Sequence, residues 1–261
     1  METKYSTITW PTPEVAWVML KRPEKRNALN AALLAELTEC FEKISSNKTS
    51  VACIVISGEG KSFCSGADLM DIQGLGAGSK HLGAVLDEHF LPMFQAVNKI
   101  KVPIICALNG PAVGIGVMLA LSGDIIIATQ DSYLKLGFSQ IGLLPDGGIT
   151  YWLPRVLGYH KAMKMVLLDE ILSAKDAENQ GVFYQVVTQE SLHERVMSTA
   201  KKLALVNNKV NIEAKNLIKS SLDTSYIEQW DKESKKQSAC GKEKGFKESV
   251  WAFLKSKYKA P

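Results

Sequence analysis

Asp146 is an isolated carboxylate in an apolar run. It follows Pro145 and precedes Gly147 and Gly148 in FSQIGLLPDGGITYWLP, a stretch that also carries Phe138, Ile141, Leu143, Leu144 and Trp152. A carboxylate enclosed by such side chains is desolvated, and desolvation raises its pKa toward the range a general base needs. The run Pro-Asp-Gly-Gly also has the composition of a surface turn whose aspartate caps backbone amides. Local sequence leaves both readings open.

A base needs a partner that holds the charge it creates, and two segments have the composition for that role. Gly110 to Gly116 contains three glycines, which leave amide hydrogens uncovered by side chains. The apolar run Val117 to Leu121, stopped by Gly123, then reads as a helix. Free amides and the positive end of the dipole at such a helix entry suit a phosphate or a developing enolate. Ser65, Gly66 and Ala67 form a second small-residue turn after the strand candidate Val51 to Ser57, with Asp68 placed to cap a helix. Two such turns can converge their amides on one carbonyl oxygen. Turns that merely permit close packing have the same spacing.

The elements that must position these turns are legible as an alternation. Val15 to Leu20, Val51 to Ser57, Pro103 to Leu108, Asp124 to Ala128 and Phe183 to Val187 read as short apolar strands, separated by helical stretches such as Ala31 to Ser45. This alternation predicts an α/β architecture. After about Glu190 amphipathic helical patterns take over, so the expected organisation is a core over residues 1–190 and a helical region over 191–261. The spacing of Phe246, Val250, Phe253 and Leu254 predicts a packed helix within the lysine-rich tail.

Composition narrows the class. With 261 residues, 46% of them apolar, the chain suits one large α/β unit followed by a helical tail. No apolar segment is long and charge-free enough to span a membrane, and METKYSTITWPTP lacks the charged-then-apolar build of a secretory signal, so a cytoplasmic protein is expected. Five scattered cysteines read as reduced thiols; Cys64, beside the second turn, reads as packing rather than as a nucleophile. His81, His89, His160 and His193 form no metal motif, and no metal is expected. Lys21, Arg22, Lys25 and Arg26 make a basic turn suited to phosphate or simply to solvent. The net charge of +4 is not organised into the stripe that nucleic acid requires.

KRPEKRNALN (Lys21 to Asn30), FCSGADL (Phe63 to Leu69), NGPAVGIG (Asn109 to Gly116), GLLPDGGITYWLPR (Gly142 to Arg155) and LSAKDAENQGVFYQVV (Leu172 to Val187) occur in the order and spacing of one family. On these segments the chain resembles the crotonase superfamily of enoyl-CoA hydratases and isomerases along almost its whole length. The resemblance implies a crotonase-like spiral of ββα units with a C-terminal helical region, assembled as a homotrimer or dimer of trimers. It implies an acyl-CoA substrate whose thioester oxygen is held by the amides of Ala67 and Ile115. Substrate contacts are implied at Lys25, Arg26, Ala28, Ser65, Gly66, Asp68, Leu69, Gly114, Met118, Phe138 and Leu143, and at Phe253 and Lys257 in the tail. CoA is part of the substrate, and no separate cofactor is implied.

Two positions depart from the hydratase pattern. Hydratases hold water between two glutamates, and the matching positions here are Met118 and Phe138, neither of which activates water. Asp146 matches the acid of several isomerases of the superfamily, which is aspartate in the epoxyphenylacetyl-CoA isomerases. The expected reaction is therefore a shift of a carbon-carbon double bond from 3-enoyl-CoA to 2-enoyl-CoA, with Asp146 as the single proton shuttle. Alternatives are a ring-forming or ring-opening isomerase of an aromatic-derived CoA thioester, a hydratase-like or dehalogenase-like enzyme, and a non-catalytic acyl-CoA-binding module. The dehalogenase reading needs a histidine base, whose aligned place is near Leu91, with His89 slightly offset.

Overall fold

The computed structural model describes residues 3–46, 51–74 and 82–257; His81 lies outside them. The chain divides into two compact units, Met1–Leu205 and Val206–Pro261.

In the first unit the elements follow in the order β1 (Ser6–Thr12), β2 (Val15–Leu20), α1 (Ala31–Ser46), β3 (Cys53–Gly58), α2 (Leu69–Gly74), α3 (Leu82–Val85), α4 (Leu91–Asn98), β4 (Ile104–Leu108), β5 (Ala112–Val113) and α5 (Ile115–Leu121). Then come β6 (Ile125–Thr129), β7 (Tyr133–Lys135), α6 (Ile149–Leu157), α7 (Tyr159–Leu168), β8 (Leu172–Ser173), α8 (Ala174–Asn179), β9 (Gln185–Val187) and α9 (Leu192–Leu205). The larger sheet has the order β1-β2-β3-β4-β6-β9, parallel except where β1 meets β2. A smaller sheet has the order β5-β7-β8.

The parallel strands are apolar almost throughout because both faces are covered. One face, with Val18, Ile54, Ile56, Ile104 and Leu108, packs under α1, α4 and α5 in the main core. The other, with Val15, Val55, Ile105 and Ile127, packs on Leu192, Val196 and Ala200 of α9. The first helix after Glu190 is thus part of this unit.

The chain repeats one path. A strand in the larger sheet is followed by a short extended piece beside the smaller sheet, then by a helix. β4, β5 and α5 make one such turn. β3 is followed by Cys64, which bridges Ala112, and then by α2. β2 is followed by Leu29, which bridges Ala67, and then by α1. This is the expected spiral of ββα units, and each turn leaves its short piece against the next.

The second unit is helical: α10 (Asn208–Ser220), α11 (Tyr226–Gly241) and α12 (Lys244–Lys257). A capping box between Ser225 and Glu228 starts α11, and Lys236 pairs with Glu213 on α10 at 2.7 Å. Phe246, Val250, Phe253 and Leu254 do lie on one helix. They nevertheless remain 39% to 58% exposed in the single chain, so the packing their spacing predicts is not made.

Candidate active site

The two glycine turns meet because neighbouring turns of the spiral hydrogen-bond to each other. The amides of Phe63 and Cys64 donate to the Pro111 carbonyl at 3.1 and 3.2 Å, and the Val113 amide donates to the Cys64 carbonyl at 2.9 Å. Gly66 and Gly114 then pass backbone to backbone. A Cβ on Gly66 would stand 2.9 Å from the Val113 oxygen and 3.5 Å from the Gly114 Cα. Only glycine tolerates that approach.

Each of these glycines is followed by a residue with an unused amide. The Ser65 amide donates to the Arg26 carbonyl at 3.0 Å and the Asp68 amide to the Leu29 carbonyl at 2.9 Å. Between them, the Ala67 amide meets no acceptor among the described residues. Gly114 donates to the Lys135 carbonyl at 2.9 Å, but the Ile115 amide likewise meets no acceptor there. Ile115 is the first residue of α5, where an unpaired donor is expected. Two free amides, side by side at the crossing of two turns, form a cradle for an oxygen that gains negative charge.

The Asp146 turn sits over the start of α5. A Cβ on Gly147 would stand 2.8 Å from both Cγ1 and Cδ1 of Ile115, and one on Gly148 would stand 3.9 Å from the Met118 Sδ and the Trp152 Cδ1. Gly147 and Gly148 take φ of 63° and 91°, which bend the chain back so that the turn lies against that helix. The Asp146 Oδ1 is buried with no hydrogen-bond partner among the described residues. Burial pushes its pKa up from 3.8 to about 6, opposed only by a hydrogen bond from its own amide. An unpartnered carboxylate near neutrality is poised to accept a proton. A solvated turn would instead leave its carboxylate in water.

An apolar wall completes the site. Ile115, Met118 and Phe138 are 2%, 5% and 8% exposed, and all belong to the main core. The Leu143 amide donates to the Phe138 carbonyl at 3.0 Å, and Leu143 and Leu69 are 37% and 50% exposed. Burial pushes the Cys64 thiol up to about 12, against a hydrogen bond from the Gly66 amide, so this cysteine is inert packing. Among the described residues no group of three or more His, Cys, Asp or Glu could hold a metal.

The basic turn divides into structural and exposed parts. Arg22, read from sequence with the phosphate-suited residues, is buried. Its guanidinium pairs with the Asp68 Oδ2 at 2.9 Å and donates to the Ala28 carbonyl. The reason is long-range: the partner lies on the second glycine turn, where Asp68 also accepts from the Asp71 amide at 3.4 Å and caps α2. Arg22 thereby ties the Lys25 to Ala28 segment to the turn that offers the Ala67 amide. Lys25 and Arg26 are exposed, and the Ser65 hydroxyl donates to the Lys25 carbonyl at 3.2 Å. Removing one partner of a buried ion pair strands the other, so Arg22→Met is expected to destabilise the fold by about 3 kcal/mol. Urea denaturation checks this; an unchanged midpoint would mean that Asp68 finds water instead.

The remaining sequence-derived positions are less connected. Phe253 lies in α12 of the second unit and is 58% exposed, and the Lys257 side chain lies outside the described residues. His89 falls in a π-helical turn, Leu86–Phe90, immediately before α4. Phe94 and Trp152 flank the Asp146 turn, at 3.8 and 3.9 Å from the positions of added Cβ atoms. Sequence reasoning singled out no role for Phe94, because nothing in α4 distinguishes this apolar residue from its core neighbours.

Two amides at crossed glycine turns, a lone buried carboxylate and a ββα spiral define a class of acyl-transforming enzyme fold. Residues 12–260 match the enoyl-CoA hydratase/isomerase family, and the chain belongs to it. It is 36% identical over 249 residues to 1,2-epoxyphenylacetyl-CoA isomerase of Escherichia coli (strain K12), covering 92% of each chain. It is 35% identical over 254 residues to a probable enoyl-CoA hydratase of Rhodobacter capsulatus, covering 97% of this chain and 96% of the other. The crystal structure of enoyl-CoA hydratase from Bacillus anthracis superposes with a TM-score of 0.90 at 26% identity over 97% of both chains, which fixes the crotonase fold.

Proposed function

We propose that the protein is an acyl-CoA isomerase that moves a carbon-carbon double bond, converting a 3-enoyl-CoA to the conjugated 2-enoyl-CoA. The observation that carries this reading is the single unpartnered carboxylate of Asp146 beside a wall that contains no second acid. Asp146 takes the proton from C2, and the electron pair moves through C2 to the thioester oxygen. The Ala67 and Ile115 amides hold that oxygen as a dienolate. Asp146 then returns the proton to C4, leaving the double bond between C2 and C3. The proton removed is the proton returned, so no cofactor enters the balance.

Hydration needs a group that deprotonates or orients water at C3. Met118 and Phe138 supply none, and they keep water from the dienolate. The exposed Lys25 and Arg26, at the rim of the Ser65 to Asp68 turn, suit the phosphates of CoA. In this reading the enzyme works in the cytoplasm as a homotrimer or dimer of trimers, an assembly that would cover the exposed apolar side chains of α12. No described helix is long and apolar enough to cross a membrane.

A second reading rests on the similarity to an epoxyphenylacetyl-CoA isomerase at 36% identity: ring-forming or ring-opening isomerisation of an aromatic-derived CoA thioester over the same amides. A spectrophotometric comparison separates the readings. Purified protein should convert 3-hexenoyl-CoA to the conjugated isomer and hydrate crotonyl-CoA slowly. Efficient hydration with little isomerisation would overturn the assignment; exclusive turnover of 1,2-epoxyphenylacetyl-CoA would select the second reading.

A further inference from the structure

We infer that the Ile115 side chain, as distinct from its amide, is a positioning residue that seats the Asp146 turn and keeps water out from beneath its carboxylate. The inference rests on the reading of Asp146 as the proton shuttle. It makes Ile115 a determinant of whether the dienolate is reprotonated or hydrated.

The geometry is reciprocal. Cγ1 and Cδ1 of Ile115 occupy the space into which any side chain at position 147 would project, each 2.8 Å from the Cβ position there. Phe94 closes the same space from α4, with its Cε2 3.8 Å from that position. The left-handed conformation at Gly147, with φ 63°, is one that asparagine also adopts. It is therefore the branch at residue 115 that excludes every Cβ at residue 147. The peptide that carries the base is thus located by direct contact with the helix whose first amide serves the oxyanion.

Water exclusion follows from the same contact. Ile115 is 2% exposed, and the Asp146 Oδ1 beside this packing has no partner. The groups packed on the turn are Ile115 and Met118 from α5, Phe94 from α4 and Trp152 from α6. None is charged, and no charged group among the described residues contributes to the raised pKa of Asp146. Truncating Ile115 to alanine opens a void larger than the ~30 Å³ a water occupies, next to an acceptor that lacks a donor. Such a site fills with water. A water there would stabilise the ionised carboxylate and would stand within reach of the dienolate.

The test joins an activity-independent readout with a product readout. In protein labelled with carboxyl-¹³C aspartate, the Asp146 resonance, assigned by its loss in Asp146→Asn, should titrate about one pH unit lower in Ile115→Ala than in the wild type. The kcat for isomerisation should fall about tenfold with a smaller change in KM, and 3-hydroxyacyl-CoA should appear as a side product. Gly147→Ala should lower the melting temperature of the wild type, and of Ile115→Ala at most about half as much, because the clash has been removed. Ile115→Val, which loses only Cδ1, provides an intermediate case should the alanine variant fold poorly.

An unchanged Asp146 titration in both variants, with Gly147→Ala equally costly in both backgrounds, would overturn the inference. The titration and the thermal cycle need no substrate. If Asp146→Asn kept full isomerase activity, the functional reading would fall while these measurements still decided the role of Ile115.

Discussion

Asp146→Asn is expected to lower isomerase turnover by roughly 10²- to 10⁴-fold, the usual contribution of a positioned base, while leaving acyl-CoA binding nearly intact. Asparagine keeps the shape but cannot accept the C2 proton. Exchange of that proton with deuterated water, followed by NMR, isolates the step; exchange at the wild-type rate in the variant would mean that the base lies elsewhere. The same substitution should stabilise the fold. Folding raises the pKa of Asp146 from 3.8 to about 6, so between these values the native state binds more proton than the unfolded chain and loses stability as pH rises. Above pH about 6 the loss is complete. A shift of this size is worth about 3 kcal/mol for a fully shielded group, and solvent screening of this partly exposed one reduces it to about 1–2 kcal/mol. Denaturant melts should therefore show wild type and variant converging near pH 4 and separated at pH 7. Variant stability below wild type at pH 7 would mean that the carboxylate has a partner in solution.

Ile115→Pro should lower kcat by about 10²- to 10³-fold, equivalent to losing one oxyanion donor. Proline is tolerated at the first position of a helix because that amide makes no intrahelical bond, so the substitution removes the donor while preserving α5. Ile115→Ala is the necessary control, since it loses the side chain and keeps the amide. The difference in kcat between the two belongs to the N–H. Affinity for a saturated acyl-CoA, measured by calorimetry, should change far less than kcat, because a neutral thioester oxygen gains little from the donor that the enolate needs. Equal kcat in the proline and alanine variants would remove the Ile115 amide from the oxyanion hole.

The parallel strands were legible because burial on both faces leaves uninterrupted apolar runs. Val15 to Leu20 coincides with β2, and Pro103 to Leu108 differs from β4 by one residue. β1 was not expected. Its WPT segment looks like a turn, yet at the sheet edge, where the register shifts between Thr9 and Thr12, Pro11 removes no ladder bond that matters. β5, β7 and β8 span two or three residues each, too short for any period to register. In the site, the glycine turns and the lone aspartate were readable as composition, but their convergence was not. Nothing local signals that Gly66 passes Gly114, or that Arg22 finds Asp68 and leaves the surface. The role of the Ile115 side chain was hidden for the same reason: its counterpart is the absence of a Cβ on a residue in another turn of the spiral.

The crossing of Gly66 and Gly114 has a consequence for how such a scaffold acquires new reactions. The half of the site that receives negative charge is built from main chain, and most side-chain replacements nearby leave its amides where they are. The half that moves protons is written in side chains at positions 118, 138 and 146, on separate segments that do not support the crossing. Substitutions there can trade one reaction of a thioester enolate for another without rebuilding the part that makes the enolate accessible. The molecule thus separates an inherited capability from a replaceable instruction, and the vulnerable points of the former are the few glycines at which the two backbones touch.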